Sequence, residues 1–308
     1  MSQTVLPDSE STAEFRQGLL FGLAAYGMWG FLPAYYKLTD TVPGDIVVSH
    51  RILWSVLFVG VFLYLRGRWP EVREIFHQPK IVLGLTASAC FIAVNWLVFV
   101  WAITNERVLD VSLGYFINPL VSILVGLVVL RERLRLWQGI AVAIAALAVI
   151  LQAVLAGGVP WVSLMLAFSF AGYGYVRKVT PVKATPGLFV ETLLLFPLAA
   201  SYMLLNLSWG VDALVLDDLP VLLALAGTGV VTAVPLICFS SAARRLPLFM
   251  LGLMQYLAPS LHFLMAVYIW GEPLDQTRLI GFLLIWAALA VFTYDSWRRY
   301  RGAARRAA

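Results

Sequence analysis

The composition of this 308-residue chain excludes an ordinary soluble fold. Apolar residues make up 61% of it and charged residues only 13%, against about 25% charged residues in a typical globular protein. A soluble domain of this length could not hide so much apolar surface, because burial is limited by the ratio of surface to volume. The net charge of +5 would suit nucleic-acid binding, but the basic residues are placed as in a membrane protein. We therefore expect the lipid bilayer as partner and no nucleic acid.

Long uninterrupted apolar runs predict an all-α integral membrane protein with ten transmembrane helices. A helix needs about 20 mostly apolar residues to cross the hydrocarbon core, and runs without alternation exclude a barrel. In chain order, the predicted spans are 18–36, 46–65, 81–103, 109–130, 136–156, 160–176, 187–207, 219–241, 247–270 and 279–297. The polar segment 1–15 lacks the basic region of a cleavable signal peptide, so we expect the first span to be retained.

The basic residues predict the orientation. With the N-terminus in the cytoplasm, most of the 22 Lys and Arg residues fall in segments on the cytoplasmic side. Only Lys37, Arg107 and Arg278 fall outside, and Arg51 lies within a span. This bias is the positive-inside pattern, which favours cytoplasmic N- and C-termini in a multi-pass protein of the inner membrane.

An internal repeat divides the chain into two halves. The segment LGYFINPLVSILVGLVVLRERL (113–134) parallels LMQYLAPSLHFLMAVYIWGEPL (253–274), with the same spacing from Pro119 to Glu132 as from Pro259 to Glu272. Five spans per half is an odd number, so the second half would be inverted relative to the first. Inverted repeats are typical of secondary transporters. The predicted organisation is a tail (1–15), a first repeat (16–156), a second repeat (157–297) and a basic cytoplasmic tail (298–308).

The same residues resemble a known family. The proline–glutamate pattern of both halves is similar to the EamA repeat of the drug/metabolite transporter superfamily. Several stretches resemble its RarD family, described as chloramphenicol-sensitive permeases: MWGFLPAYYK (28–37), SHRILWS (49–55), NWLVFVWAI (95–103), SLGYFINPL (112–120), RKVTP (177–181) and VETLLLFP (190–197). The resemblance implies ten helices, an inner-membrane location and permease activity.

Aromatic and amide side chains near the middle of the spans are candidate substrate-binding residues. Aromatic rings with a few fixed amides suit a small organic solute, and the candidates are Tyr26, Trp29, Asn95, Trp96, Phe99, Tyr115, Asn118 and Gln255. Prolines within spans leave carbonyls without their helical partner, so we expect helix kinks at Pro33, Pro119, Pro235 and Pro259. Asn118 and Gln255 could instead satisfy these helix defects or bond to neighbouring helices.

Charged and titratable side chains inside the spans are candidate gates. Arg51 lies early in the second span, where it could bind an anionic group, form an outer gate or extend to the headgroups. His50 is adjacent in sequence, and Glu191 occupies the matching depth of the seventh span, as a gate or as a residue that suits the helix N-terminus. His262 is expected to be a packed, hydrogen-bonded histidine.

These patterns favour a secondary transporter that moves a small metabolite or drug by alternating access. The alternatives are a non-transporting receptor or assembly subunit and, less favoured, a membrane-embedded enzyme. The three histidines lack metal-ligand spacing and no nucleotide-binding loop is present, so we expect no catalytic residues, no metal and no cofactor. Cys90 and Cys238 are expected to be unpaired thiols. A monomer or a homodimer, import or export, and proton coupling or exchange all stay open.

Overall fold

The computed structural model describes residues 9–155, 161–210, 212–269, 271 and 276–307. Residues 1–8 of the predicted tail, and Glu272 of the repeat motif, lie outside these ranges. The described chain is helical, with one short 3-10 turn at Lys37–Thr39. The helices are α1 (Ser9–Tyr36), α2 (Gly44–Leu65), α3 (Trp69–Phe76), α4 (Pro79–Thr104), α5 (Val108–Val128), α6 (Leu136–Leu155), α7 (Trp161–Val179), α8 (Ala184–Ser208), α9 (Leu219–Arg245), α10 (Leu248–Gln255), α11 (Leu257–Tyr268) and α12 (Gln276–Ala307).

Each predicted span coincides with helical structure, but fewer helices are independently apolar enough to cross a membrane. Within the described ranges, 7 segments have both the length and the hydropathy for a crossing: α2, α4, α5, α6, α8, α9 and the stretch 248–268. Residues 279–295 of α12 form a shorter apolar segment. Helices α1 and α7 are long enough but more polar, because α1 has Gly, Tyr, Trp and Pro residues within its apolar stretch and α7 ends on Arg177 and Lys178. The chain is therefore an all-α, multi-pass membrane protein.

The span predicted at 247–270 is interrupted. Helix α10 ends at Gln255, and α11 begins at Leu257 with Pro259 as its third residue. Proline has no N–H to bond the carbonyl four residues earlier, so the position of the break is the one expected from Pro259. Helices α1, α5 and α9 continue past Pro33, Pro119 and Pro235, so these three prolines do not divide their helices.

Helix α3 was not anticipated in the polar connection 66–80. Its Val72 and Ile75 are buried, one helical turn apart, while the other face is polar. Pro70 suits the first turn, where a missing N–H costs nothing. The spacing of Val72 and Ile75 indicates a short amphipathic helix, but its 8 residues are too few to cross a membrane.

The helices pack mainly across the two halves of the chain. Helix α1 packs against α9 and α4 against α7, while α5 lies against α7 and α1 lies against α11. Helices α2 and α8 contact each other, as do α6 and α12, and α5 and α10. The approach of α5 and α10 depends on Gly252, where a Cβ would lie 2.7 Å from the carbonyl oxygen of Pro119.

Polar contacts between connections distinguish the two ends of the bundle. At what we call the basic end, Lys183 Nζ lies 3.1 Å from Glu71 Oε1, and Arg244 Nη1 donates to the carbonyl of Val182 at 2.7 Å. At the opposite end, the hydroxyl of Tyr202 donates to Asp45. The basic end thus joins α3 to the α7–α8 and α9–α10 connections, and the opposite end joins α2 to α8.

Candidate functional site

A guanidinium lies beside aromatic rings in the half of the bundle toward the opposite end. Arg51 lies with its Cζ 4.6 Å from the ring centroid of Trp96 and 5.6 Å from that of Tyr36. Its Nε donates to Thr232 Oγ1 at 3.0 Å. Distances of this kind are those of cation–π contacts. Arg51 and Tyr36 are half-buried and Trp96 is buried, so the guanidinium is held by α1, α4 and α9 without being sealed from the surroundings.

Further rings follow on α4, where Phe99 lies one helical turn from Trp96. Tyr115 lies 6.4 Å from Phe99 and 6.4 Å from His262, measured between ring centroids. His262 Nε2 is 3.0 Å from the carbonyl oxygen of Trp29, which places a proton on Nε2 and confirms the hydrogen-bonded histidine. Tyr115 is 40% exposed, so a molecule of water size reaches its ring. We call the set Tyr36, Arg51, Trp96, Phe99, Tyr115 and His262 the arginine–aromatic cluster.

Deeper in the bundle, five rings close the space between α1, α7 and α9. Phe239 contacts Tyr26, Trp29, Phe170 and Tyr173, with centroid separations from 5.2 to 6.2 Å. Tyr173 is fully buried, Phe239 is 1% exposed and Tyr26 is 2% exposed. We call these five residues the aromatic plug.

Between the plug and the basic end lies a buried ion pair. Arg177 Nη1 is 3.3 Å from Glu191 Oε1, and the two side chains are 0% and 1% exposed. Ser88 donates to the same carboxylate oxygen, and Arg177 Nε donates to Ser240 Oγ at 3.0 Å. Tyr173 is within 3.5 Å of both Glu191 and Ser240. This ion-pair network joins α4, α7, α8 and α9.

Local sequence explains how a guanidinium fits there. Tyr173 and Arg177 are four residues apart on α7 and therefore share a face. On α8, a Cβ at Gly187 would lie 2.3 Å from Arg177 Nη1, so glycine leaves the space that the guanidinium occupies. Arg177 Nη2 also donates to the carbonyl of Ala184 at 3.2 Å. A buried charge with a counter-ion and several hydrogen bonds is the arrangement that offsets its desolvation.

The predicted amides differ in their surroundings. Asn95 Nδ2 donates to the carbonyl of Leu166 and to Ser169 Oγ, both at 3.0 Å, so Asn95 ties α4 to α7. Asn118 is 9% exposed and Gln255 is 7% exposed. Their amide oxygens, with the Tyr26 hydroxyl, have no hydrogen-bond partner within the described residues. Unpaired buried polar atoms are uncommon and usually mark a site for water or ligand.

His50 lies apart from Arg51 although the two are adjacent in sequence. His50 Nε2 is 2.9 Å from the carbonyl oxygen of Ala213, and the indole N–H of Trp54 donates to His50 Nδ1 at 3.2 Å. Because Nδ1 accepts a hydrogen bond there, Nε2 carries the ring proton and donates to the Ala213 carbonyl. His50 therefore links α2 to the segment 212–218 at the opposite end.

The glutamate of the first repeat motif serves as a helix cap. Glu132 accepts from the backbone N–H groups of Leu248 and Phe249 at 2.7 and 3.0 Å. A carboxylate at this position satisfies N–H groups in the first turn of α10 and complements the helix dipole. Lys178 Nζ is 3.8 Å from the same carboxylate. The motif thus connects α10 to the end of α5 and to α7.

Arg177 was assigned from the sequence to a cytoplasmic connection, and that assignment is wrong. The residue belongs to α7 and is buried with Glu191. Sequence reasoning also missed Ser88, Tyr173 and Ser240, since small hydroxyl side chains and tyrosine are common in packed membrane helices. The spacing of Tyr173 and Arg177, followed by Gly187, was the available signal.

The thiols and acidic groups offer no metal site in the part of the chain that is described. Cys90 and Cys238 are free, as expected. Across residues 9–155, 161–210, 212–269, 271 and 276–307, no three His, Cys, Asp or Glu side chains come together to hold a metal ion.

Known proteins that are similar to this chain identify its family. Residues 16–154 match the EamA-like transporter family. An uncharacterized transporter of Pseudomonas aeruginosa is 45% identical over 94% of this chain and 98% of its own length. Protein RarD of Escherichia coli is 42% identical over 91% of this chain and 95% of its own length. The chain belongs to the EamA-like transporter family and is RarD-like.

Two further comparisons concern the wider group and the fold. The chloramphenicol-sensitive protein RarD of Pseudomonas aeruginosa is 34% identical over 94% of this chain and 98% of its own length. A protein of known crystal structure superposes with a TM-score of 0.68 over 89% of this chain and 96% of its own, at 20% identity. At that identity the match shows a shared fold and leaves the solute undefined. This RarD-like chain is thus a multi-pass membrane protein of a transporter family.

Proposed function

We propose that the chain is a secondary transporter that moves a small organic solute across the inner membrane by alternating access. The observation that carries this proposal is the unequal closure of the two ends. The ion-pair network and the aromatic plug seal the basic end, whereas the arginine–aromatic cluster stays half-buried and includes Tyr115 at 40% exposure. This is the arrangement expected of an outward-open state, with the solute bound above the plug.

The helix packing supports two inverted halves. In this arrangement α7 is the counterpart of α1, and α9 is the counterpart of α4. Replacing each helix by its counterpart turns the α1–α9 contact into the α7–α4 contact, and both contacts are present. In the same way, the contact of α5 with α7 corresponds to the contact of α10 and α11 with α1. Three further contacts join a helix to its own counterpart: α2 with α8, α6 with α12, and α5 with α10. Ten crossings in two five-helix repeats, residues 16–156 and 157–297, account for this pattern. With most basic residues at one end, positive-inside sorting places that end, and both termini, in the cytoplasm.

The central site is formed by the predicted residues that this arrangement brings together. The cluster residues Trp96, Phe99 and Tyr115 surround the solute, and the unpaired amides of Asn118 and Gln255 offer hydrogen bonds at greater depth. Trp29 and Tyr26 form the floor as members of the plug. Closing the opposite end while breaking the Arg177–Glu191 pair would release the solute at the basic end.

Reciprocal accessibility tests this mechanism. In a background without Cys90 and Cys238, single cysteines at Tyr115→Cys and Ser240→Cys are labelled with an impermeant maleimide from each side of the membrane. Alternating access predicts that Glu191→Gln raises labelling of the position-240 cysteine from the cytoplasmic side and lowers labelling of the position-115 cysteine from outside.

The control is a cysteine at the exposed Asp217 of the opposite-end segment. Labelling of this cysteine from outside should not change with Glu191→Gln. The side from which it is labelled also shows which end of the bundle faces the outside. If both test positions gain labelling together, the protein has loosened, and the alternating-access proposal fails. If neither changes, the ion-pair network is not a gate.

A further inference from the structure

Arg51 differs from the paired arginines of the described bundle in having no carboxylate. Arg177 is paired with Glu191, and Arg107 Nε lies 2.5 Å from Asp110 Oδ2. Among the described residues, no Asp or Glu oxygen lies within ion-pair distance of Arg51. Among the described residues, its guanidinium donates one hydrogen bond, to a neutral hydroxyl, Thr232 Oγ1.

The position makes this lack of a counter-ion costly. Arg51 is the eighth residue of α2, about 10 Å along the helix at 1.5 Å per residue, and near the helix N-terminus the dipole opposes a cation. A charge in the interior of a membrane protein is usually paired or functional. The rings of Trp96 and Tyr36 stabilise it in part, but they carry no net negative charge.

Contacts with three neighbouring residues restrict the orientation of the Arg51 guanidinium, and this orientation suits a carboxylate ligand. Nε is engaged with Thr232, and Trp96 and Tyr36 lie on the guanidinium at 4.6 and 5.6 Å. The two terminal nitrogens, Nη1 and Nη2, donate to no group among the residues that the structure describes. A pair of parallel N–H groups matches the two oxygens of a carboxylate.

The aromatic rings beyond the guanidinium indicate the chemistry of the part of the ligand that lies beyond its carboxylate. Phe99 lies one helical turn from Trp96 on α4, and the rings of Tyr115 and His262 lead from Phe99 toward Trp29 of the plug. Rings of this kind bury an apolar or aromatic body. We propose that the solute is a small organic acid whose carboxylate pairs with Arg51 and whose apolar or aromatic body packs against these rings. This inference rests on the proposed transport function and names its substrate class.

Selective modification of Arg51 tests this assignment without a known substrate. The purified full-length protein in lipid nanodiscs is treated with phenylglyoxal, which modifies free guanidinium groups, and the modified arginines are mapped by peptide mass spectrometry. The additions are benzoate, phenylacetate, 2-hydroxyisocaproate and leucine, each beside its primary amide, and inorganic phosphate. We expect at least one carboxylate to slow modification of Arg51 at least fivefold, while its amide has no effect.

Arg107 provides the matched control. It also lies near aromatic rings, with its Cζ 5.9 Å from the Trp101 centroid and 5.7 Å from the Trp161 centroid, but it already has Asp110 as counter-ion. Its modification rate should not respond to the additions. If amides protect Arg51 as well as acids do, or if no acid protects it, the proposal is overturned. Protection by phosphate alone would also overturn it, in favour of a phosphate-bearing ligand.

A second measurement separates this inference from the transport proposal. A protecting acid is followed into proteoliposomes that contain the wild type, Arg51→Lys or Arg51→Gln. We expect uptake to fall at least tenfold in Arg51→Gln, with partial activity in Arg51→Lys and unchanged thermal stability in both. Protection without uptake by the wild type would leave the carboxylate site standing and refute transport of that acid. Unchanged uptake in Arg51→Gln would refute the role of Arg51 and leave transport standing.

Discussion

Replacing Arg177 by methionine should destabilise the protein far more than its removal from a protein surface would. The substitution leaves the Glu191 carboxylate 1% exposed, with Ser88 and Tyr173 as its remaining partners. Removing one member of a buried ion pair typically costs about 3–5 kcal/mol, because the other charge stays desolvated without compensation. We expect a loss of that size in Arg177→Met and a comparable loss in Glu191→Leu.

The double variant distinguishes pairing from general disruption. Replacing both charges by apolar side chains of similar volume is often neutral or stabilising, so Arg177→Met with Glu191→Leu should recover most of the loss. Unfolding is followed by tryptophan fluorescence during titration with sodium dodecyl sulfate in mixed micelles, and the coupling free energy is taken from the double-mutant cycle.

The pair formed by Arg68 and Glu71 is the matched control. Its atoms are 2.9 Å apart, but the side chains are 29% and 28% exposed, and partly exposed pairs contribute about 0–1 kcal/mol. The same cycle there should give a coupling free energy below about 1 kcal/mol. If the two single effects at 177 and 191 simply add in the double variant, the charges do not compensate each other and the reasoning is refuted.

Three further outcomes follow from the described contacts. Gly252→Ala should cost about 1–3 kcal/mol in the same unfolding assay, since its Cβ would lie 2.7 Å from the Pro119 carbonyl oxygen and overpacking forces the helices apart; an unchanged midpoint would contradict the close approach. Glu132→Gln should cost about 1 kcal/mol through the weakened cap on α10, and a loss as large as that of a buried pair would contradict a capping role. Arg68 donates to Glu71 and thereby lowers the pKa of that carboxyl. The ion pair therefore stabilises the fold fully at pH values above the ordinary glutamate pKa, and this stabilisation is lost as pH falls through the lowered pKa. The difference in unfolding free energy between the wild type and Arg68→Met should therefore shrink toward acid pH, and a difference that stays constant would refute this assignment.

Much of the fold could be predicted because lipid restricts the backbone. Each apolar run of sufficient length must satisfy its own hydrogen bonds as a helix, so α2, α4, α5 and α8 begin and end within a few residues of the predicted limits. The chain breaks between α10 and α11 just before Pro259, whereas α1, α5 and α9 continue past their prolines. The site was less predictable, since aromatic and amide residues are also ordinary packing residues in membrane helices.

The sequence by itself determined the class of protein and the positions of most of its long helices. Composition, run length and proline position act along one helix at a time, so they can be evaluated without neighbours. Only the tertiary structure decided that Arg177 meets Glu191, that Glu132 caps α10 and that Arg51 meets no carboxylate in the described part of the chain. Those outcomes depend on how each helix is rotated and which helix lies beside it, and side-chain packing between distant segments sets both.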